Sequence, residues 1–472
     1  MILDGPSGAA TGRYNAGMTR YHIWTEGCQM NVADSQRVAS ALERLGYQPC
    51  ARAEDADVIV LNTCVVRQSA EDRAYGRLTS LRPLKAERPE VVINLMGCLV
   101  GVRGNGRLHQ VFPHVDVFSP PSDPGPLVDY LQGRDSRQIL EAELSVRNAH
   151  LDGHRVLPAA SRQHLIAAHV PVVYGCSHAC TFCIIPFRRG PERSRPVNTI
   201  AAEVRAMIDQ GVREVTLLGQ IVDRYGLDLH AGLTLPDLLR TLHAIDGLER
   251  IRFLTSHPNW MTDDLLAAVA ELPKVCEHIE VPVQAGHDRI LAEMKRGYTS
   301  DDYRRLVERI RQVIPGASIA TYIIVGFPGE TESEFLHTFD LLAELRLDVA
   351  HLARYSPRPG TVADRRMPDD VPDAEKELRF RALEELQATI AGEINHRLMG
   401  QEVEVLVEER ARDRWKGRTR TNKLVFFEDE ADRRGQLVPV RIDWAGPWSL
   451  VGTPSAPPAD RQTSAIRSLA AT

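Results

Sequence analysis

The chain has 472 residues, 43% hydrophobic and 25% charged, with a formal net charge of −6. That length exceeds one ordinary core and supplies two or three domains of a globular protein. The acidic balance excludes nucleic-acid binding through bulk charge, so any basic surface is local, and no stretch of about 18 apolar residues is present to span a membrane.

Residues 1–19 lack the basic-then-apolar order of a secretory signal and are expected to be a flexible tail. From 20 to 135, short apolar runs alternate with helical patterns. YHIWT (21–25), DVIVLNT (57–63), VVINLMG (91–97) and VDVF (115–118) read as strands. SQRVASALERLG reads as an amphipathic helix with Asp34 as its N-cap and Gly46 at its end. Such alternation implies a parallel sheet covered by helices. A polar, Pro- and Gly-bearing stretch up to 164 reads as a connector with one short helix, the linker itself being 136–164.

Residues 165–399 repeat a strand–helix unit six times. The strands are expected at 170–175, 214–219, 250–256, 278–283, 318–326 and 349–356, and a last helix at 373–399. Right-handed crossovers curl this string into a partial (βα)6 barrel of the TIM type. Six units fall short of the eight that close a barrel, which leaves one side open for a bulky substrate. Residues 400–454 change to strand-like runs, EVEVLVEE, KLVFFE and QLVPVRIDWAG, and read as a small all-β barrel. Residues 455–472 read as disordered. The fold class is thus α/β multidomain with a C-terminal all-β module.

Eight cysteines stand at 28, 50, 64, 98, 176, 180, 183 and 276. The chain reads as cytoplasmic, where disulfides rarely persist, so clustered thiols argue for metal or catalysis. In YGCSHACTFC, Cys176, Cys180 and Cys183 follow the first barrel strand and therefore lie at the barrel mouth. Structural zinc wants a fourth ligand, and His178 is too close to Cys176 to supply one at ordinary spacing. Thiolates also suit iron–sulfur clusters, and three cysteines on a cubane leave one iron free to chelate a small molecule. Cys28, Cys64 and Cys98 each follow the end of a predicted strand, and in a parallel sheet those ends share one edge, so a second three-cysteine cluster can form. Cys50 and Cys276 read as packing residues.

The C-x3-C-x2-C loop, with an aromatic before its last cysteine, resembles that of the radical S-adenosylmethionine superfamily. The resemblance implies S-adenosylmethionine on the free iron and its cleavage to a 5′-deoxyadenosyl radical. TEGCQMNVADS, NTCVVRQSAEDRAYG, GCSHACTFCIIPFRRG, VTLLGQ, SHP, HIEVPVQAG, VGFPGET and YSPRPGT together resemble the methylthiotransferase family, and GCQMN with GRTRTNKLVFF resembles its MiaB type. That family has an N-terminal three-cysteine domain, a radical S-adenosylmethionine domain and a C-terminal TRAM domain, in this order. The resemblance implies two 4Fe-4S clusters, one on Cys28, Cys64 and Cys98 and one on Cys176, Cys180 and Cys183. It implies methylthiolation at C2 of N6-isopentenyladenosine, position 37 of tRNA. A protein-aspartate substrate on the ribosome, or a non-catalytic iron–sulfur or zinc protein that binds RNA, stands as the alternative. Its partners would be a tRNA anticodon stem-loop and an electron donor such as flavodoxin or ferredoxin, with the chain a monomer.

Polar and glycine residues at barrel strand ends are candidate S-adenosylmethionine contacts: Gln220, Ser256, Gln284 and Gly326, with Gly219, His257 and Gly329 nearby. Ile221 stands where LLGQ is followed by Asn in similar sequences, so no polar contact is expected there. In RARDRWKGRTRTNK, every even position from Arg410 through Arg412, Arg414, Lys416 and Arg418 to Arg420 is basic, and Lys423 follows. An extended run places such cations on one face. A turn is expected near Lys416-Gly417, and Trp415 is a candidate stacking platform for a base. Arg188, Arg189, Arg193 and Arg195 either hold phosphates near the cysteine loop or structure it.

Overall fold

A computed structural model describes residues 19–103, 106–133, 157–229 and 232–455. The two expected tails, apart from Thr19 and Ser455, and most of the 136–164 linker lie outside the described residues.

The N-terminal sheet is wholly parallel. Its strands are β1 (Arg20–Thr25), β2 (Gln48–Pro49), β3 (Val58–Thr63), β4 (Val92–Gly97) and β5 (Val117–Ser119), in the order β2-β1-β3-β4-β5. Every residue of β3 is buried, as a central strand covered on both faces requires. The sheet's two faces carry separate apolar cores. The short helix expected after it runs Gly125–Leu131 and packs on β5. One expectation fails here. The first helix spans Gln29–Arg44, so Asp34 lies inside it and Cys28 is its N-cap. Asp34 looked like a cap because an acid stood before a periodic run. It is instead 1% exposed and paired with Arg189, 155 residues away. Gly46 does end the helix, at φ +89°.

The central domain has two three-stranded parallel sheets placed end to end. One is β6 (Ala167–Pro171), β9 (Glu214–Leu218) and β10 (Arg250–Leu254); the other is β11 (His278–Glu280), β12 (Ser318–Val325) and β13 (Val349–Arg354). The Ser256 N–H donates to Glu280 O at 3.0 Å and joins them. The first barrel strand therefore ends at Pro171. The rest of VPVVYG forms β7 (Val173–Tyr174), antiparallel to β8 (Arg193–Ser194). Helices start where sequence caps them: Thr299 and Asp302 cap Ser300–Val313 reciprocally, and Thr331 and Glu334 cap Glu332–Leu345.

β14 (Glu402–Ala411), β15 (Arg414–Thr419), β16 (Leu424–Phe427), β17 (Leu437–Ala445) and β18 (Leu450–Pro454) close a small barrel. The expected turn at Lys416-Gly417 is a mid-strand position; the turn falls at Arg412-Asp413, with Arg412 at φ +57°. Gly417 serves close strand approach instead, since a Cβ there would stand 2.2 Å from Leu406 O.

Both outer domains dock on the central one at defined ends. The small barrel sits where the barrel strands begin. Arg250 donates to Arg418 O, Arg252 to Thr419 O and Arg420 O, and Lys423 meets Asp348 just before β13. The N-terminal domain sits at the opposite end. Helix Gln29–Arg44 packs along edge strand β6, and Arg358, just past edge strand β13, binds Val65 O, Gln68 and Glu71. The open side of the partial barrel is thus bridged at its mouth by the three-cysteine domain.

Candidate active site

The loop carrying Cys176, Cys180 and Cys183 is set by a glycine. Gly175 has φ +65°, and a Cβ there would lie 2.1 Å from Pro191 O. This forced turn presents Cys176, whose N–H donates to Gly190 O. Thr181 pins the loop across the mouth through its N–H to Met294 O and its hydroxyl to Glu293 O. Cys176 and Cys183 pack with Ile185, Ile221 and Trp260, so Ile221 contributes apolar cover. Burial, then the neighbouring Cys180, pushes the Cys183 thiol up to about 12. Burial pushes Cys176 up to about 11.

Cys28, Cys64 and Cys98 stand beyond the ends of β1, β3 and β4, near enough to one another to interact electrostatically. Gly27 lets the Cys28 turn approach Cys64, whose Cβ would stand 2.9 Å from a Cβ at Gly27. Asn31 and Asn62 lock the turn: Asn31 Nδ2 donates to Asn62 Oδ1 at 2.9 Å, and Asn62 Nδ2 to Asn31 O at 2.8 Å. Cys28 is exposed, whereas Cys64 and Cys98 are buried. Burial, then Cys98, pushes Cys64 up to about 12; burial also raises Cys98, with Arg189 opposing it. These thiols resist becoming bare anions together, and a cationic iron–sulfur core removes that resistance, since bound metal deprotonates its thiols outright. Among the described residues no three Cys, His, Asp or Glu side chains converge on a single-ion site. A cubane's three thiolates each hold a different iron and need not converge. Both sets therefore fit such a cluster.

The two sets adjoin. Ile184, next to Cys183, shares an apolar cluster with Cys98. Arg189, six residues beyond Cys183, enters the N-terminal domain, pairs with Asp34 at 3.3 Å, hydrogen-bonds Ser122 and lies close enough to Cys98 to interact electrostatically. Arg195 is buried against Glu203, and Arg193 lies over the Tyr174 ring. These two and Arg189 structure the loop region.

At the mouth, His178, His257, Trp260 and Tyr298 form edge-on and tilted ring contacts beside the cysteine loop. Burial, then Arg296, pushes His257 down to about 2, so it is neutral. Ser256 Oγ, His257 Nε2 and His178 Nε2 are buried with no hydrogen-bond partner. Orphaned polar atoms at one place fit a polar ligand such as S-adenosylmethionine. Gln220 is half-buried at the end of β9. Gln284, at φ +78°, is stitched to Tyr322 O and Ile324 N of β12. Gly326 makes its close approach to a protein side chain: a Cβ there would stand 2.3 Å from Lys376 Cγ.

Residues 170–342 match the radical SAM superfamily, 20–119 the uncharacterized protein family UPF0004, and 396–454 the TRAM domain. A tRNA-2-methylthio-N(6)-dimethylallyladenosine synthase from Roseiflexus sp. (strain RS-1) is 48% identical over 92% of this chain and 89% of its own length. The chain belongs to the tRNA-2-methylthio-N(6)-dimethylallyladenosine synthase family. The synthase of that name from Chloroflexus aurantiacus is 47% identical over 92% of this chain and 91% of its own. These relatives favour the tRNA branch over the aspartate and non-catalytic alternatives. In fold, the chain is similar to the radical S-adenosylmethionine methyltransferase TsrM from Kitasatospora setae, solved with cobalamin and a 4Fe-4S cluster. Their TM-score is 0.53 at 15% identity, over 74% of this chain and 77% of that one.

The basic run of this synthase-family chain differs from expectation in three ways. Trp415 is 3% exposed in the small barrel's core, its Nε1 donating to Asp429 O, so it offers no platform to a base. Arg420 binds Glu277, Pro273 O and Val275 O, and Lys423 binds Asp348; both dock domains. Arg414, Lys416 and Arg418 do share a face of β15, but pair with Glu428, Glu409 and Glu408. Arg410 and Arg412 are exposed and have no carboxylate partner among the described residues. Sequence reasoning missed Asn31, Asn62 and Arg296. The asparagines follow cysteines in GCQMN and precede one in LNTC, a usable signal; Arg296 meets its partner Cys180 across 116 residues and gave none.

Proposed function

We propose that this chain methylthiolates C2 of N6-isopentenyladenosine at position 37 of tRNA. The observation that supports it best is the adjacency of the two three-cysteine sets, with Arg189 reaching from one loop into the other domain. The C2–H bond is not acidic and carries no leaving group, so no side-chain base activates it usefully. When bound, two 4Fe-4S clusters and S-adenosylmethionine supply the radical chemistry, the sulfur and the methyl group.

The chain's residues hold and orient these parts. Cys176, Cys180 and Cys183 hold the radical cluster, and Cys28, Cys64 and Cys98 the sulfur-side cluster. Ser256, neutral His257, Gln220 and Gln284 line the S-adenosylmethionine place. Ile221 and Trp260 keep water from the cysteine loop, and Asn31 with Asn62 fixes the Cys28 turn. Arg410 and Arg412 hold RNA phosphates. Domains at 20–135, 165–399 and 400–454, a monomer, a cytoplasmic setting and a flavodoxin- or ferredoxin-like electron donor complete the reading. No helix among the described residues is long and apolar enough to cross a membrane.

The test is anaerobic reconstitution, iron and sulfide analysis, and mass analysis of the modified anticodon stem. About two four-iron clusters per chain and a methylthio product are expected. Cys180→Ala abolishes S-adenosylmethionine cleavage, whereas Cys64→Ala retains cleavage without sulfur insertion. A Cys64→Ala protein that still inserts sulfur refutes the two-cluster assignment, and an unmodified C2 with both clusters in place refutes the substrate.

A further inference from the structure

Arg296 follows helix Asp288–Glu293 and is 4% exposed. Each of its three guanidinium nitrogens is engaged: Nε donates to Tyr298 Oη at 2.9 Å, Nη2 to Pro282 O at 3.2 Å and Nη1 to Cys180 Sγ at 3.2 Å. Tyr298 in turn donates to Val283 O at 2.7 Å, and burial pushes its phenol up to about 12, so it stays neutral. Among the described residues no carboxylate lies within ion-pair distance of Arg296. The buried guanidiniums of Arg189, Arg195, Arg252, Arg358 and Arg379 each have one, in Asp34, Glu203, Glu214, Glu71 and Glu330 respectively.

A charge taken out of water needs a counter-charge, or its burial costs several kcal/mol. A proline carbonyl and a phenol hydroxyl are dipoles and neutralise nothing. Of the groups Arg296 touches, only the Cys180 sulfur bears formal negative charge when it ligates metal.

We infer that Arg296 is the counter-ion of the Cys176, Cys180 and Cys183 centre, a positioning residue that fixes the Cys180 sulfur and raises the centre's reduction potential. This rests on the cluster assignment proposed above. One-electron reduction adds a negative charge to the centre. A fixed cation hydrogen-bonded to a ligand sulfur stabilises the reduced form more than the oxidised one. Lysine would keep the charge but not the fork that grips Cys180, Pro282 and Tyr298 together.

The test uses the full-length chain carrying Cys28→Ala, Cys64→Ala and Cys98→Ala, reconstituted without oxygen so that one cluster remains. Its midpoint potential is read by mediator titration with electron paramagnetic resonance, in the parent and in Arg296→Gln and Arg296→Lys. The potential is expected to shift negative in Arg296→Gln and by less in Arg296→Lys. Iron retained by Arg296→Lys but lost from Arg296→Gln likewise supports the charge role. An unshifted potential in an iron-loaded Arg296→Gln overturns the inference. So does equal loss of iron from both variants, or a potential in Arg296→Lys as negative as that in Arg296→Gln. A parent that takes up no iron overturns the cluster assignment instead, which keeps the two failures apart.

Discussion

Arg252→Met tests how the small barrel is held. Arg252 is 3% exposed, pairs with Glu214 at 2.8 Å, and donates to Arg420 O at 2.6 Å and Thr419 O at 2.7 Å. Methionine fills much of the volume but strands the Glu214 carboxylate, itself 4% exposed on its side chain, without a partner. Breaking one side of such a buried pair costs about 3–5 kcal/mol. At about 1.4 kcal/mol per tenfold, the opening constant of the interface rises by roughly two to three and a half orders of magnitude. Amide hydrogen exchange reads that opening locally. Peptides over 414–425 should exchange faster by that factor, while those over β12 should not change. Adding Glu214→Gln removes the stranded charge and should recover most of the loss. Unchanged exchange over 414–425, or a double variant no better than the single, refutes the argument that this pair latches the domain.

Glu280→Gln should raise stability in alkaline solution. Burial raises the Glu280 carboxyl from 4.5 to about 7, so the folded state holds its proton more tightly than the unfolded chain does. Stability is therefore full below about pH 4.5 and falls as pH rises through about 7. In unfolding titrations the variant should match the parent near pH 5 and exceed it by about 3 kcal/mol at pH 8; a gap that does not widen with pH rejects this account. Trp415→Ala and Arg412→Ala should fail differently. The first empties the small barrel's core and costs about 3–5 kcal/mol in calorimetry. The second should leave melting unchanged and lower the salt slope of tRNA binding by about one unit. The reverse pattern would put the tryptophan at the RNA.

Much of the architecture was legible because it is written in local periodicity. DVIVLNT and SIATYIIVG are buried strands flanked by turn residues, and both form as read, over Val58–Thr63 and Ser318–Val325. The places of Cys28, Cys64, Cys98 and Cys176 were legible because each follows a strand end, and parallel topology gathers strand ends. What failed depended on partners remote in sequence. Asp34 has the chemistry of a cap, and only its pairing with Arg189 shows that it is buried mid-helix. Arg420 and Lys423 have the chemistry of phosphate ligands, but Glu277 and Asp348 lie 143 and 75 residues away and claim them. Gly417 reads as a turn because glycine often marks one; the neighbouring strand's carbonyl, which excludes a Cβ, has no trace in the local string. VPVVYG is one apolar run, yet its halves pair with different strands, and nothing in the run says where it splits.

The small barrel caps the end of the central domain where strands start, and the sulfurs crowd the end where they stop. The longest of those strands has eight residues, a depth of about 26 Å. A lone nucleoside can occupy one end only, whereas a folded stem can be gripped at one and altered at the other. On the proposed assignment of RNA contacts to the small barrel and of the chemistry to the cysteines, the distance between grip and chemistry acts as a gauge, so that truncated stems should lose turnover before they lose their modifiable base.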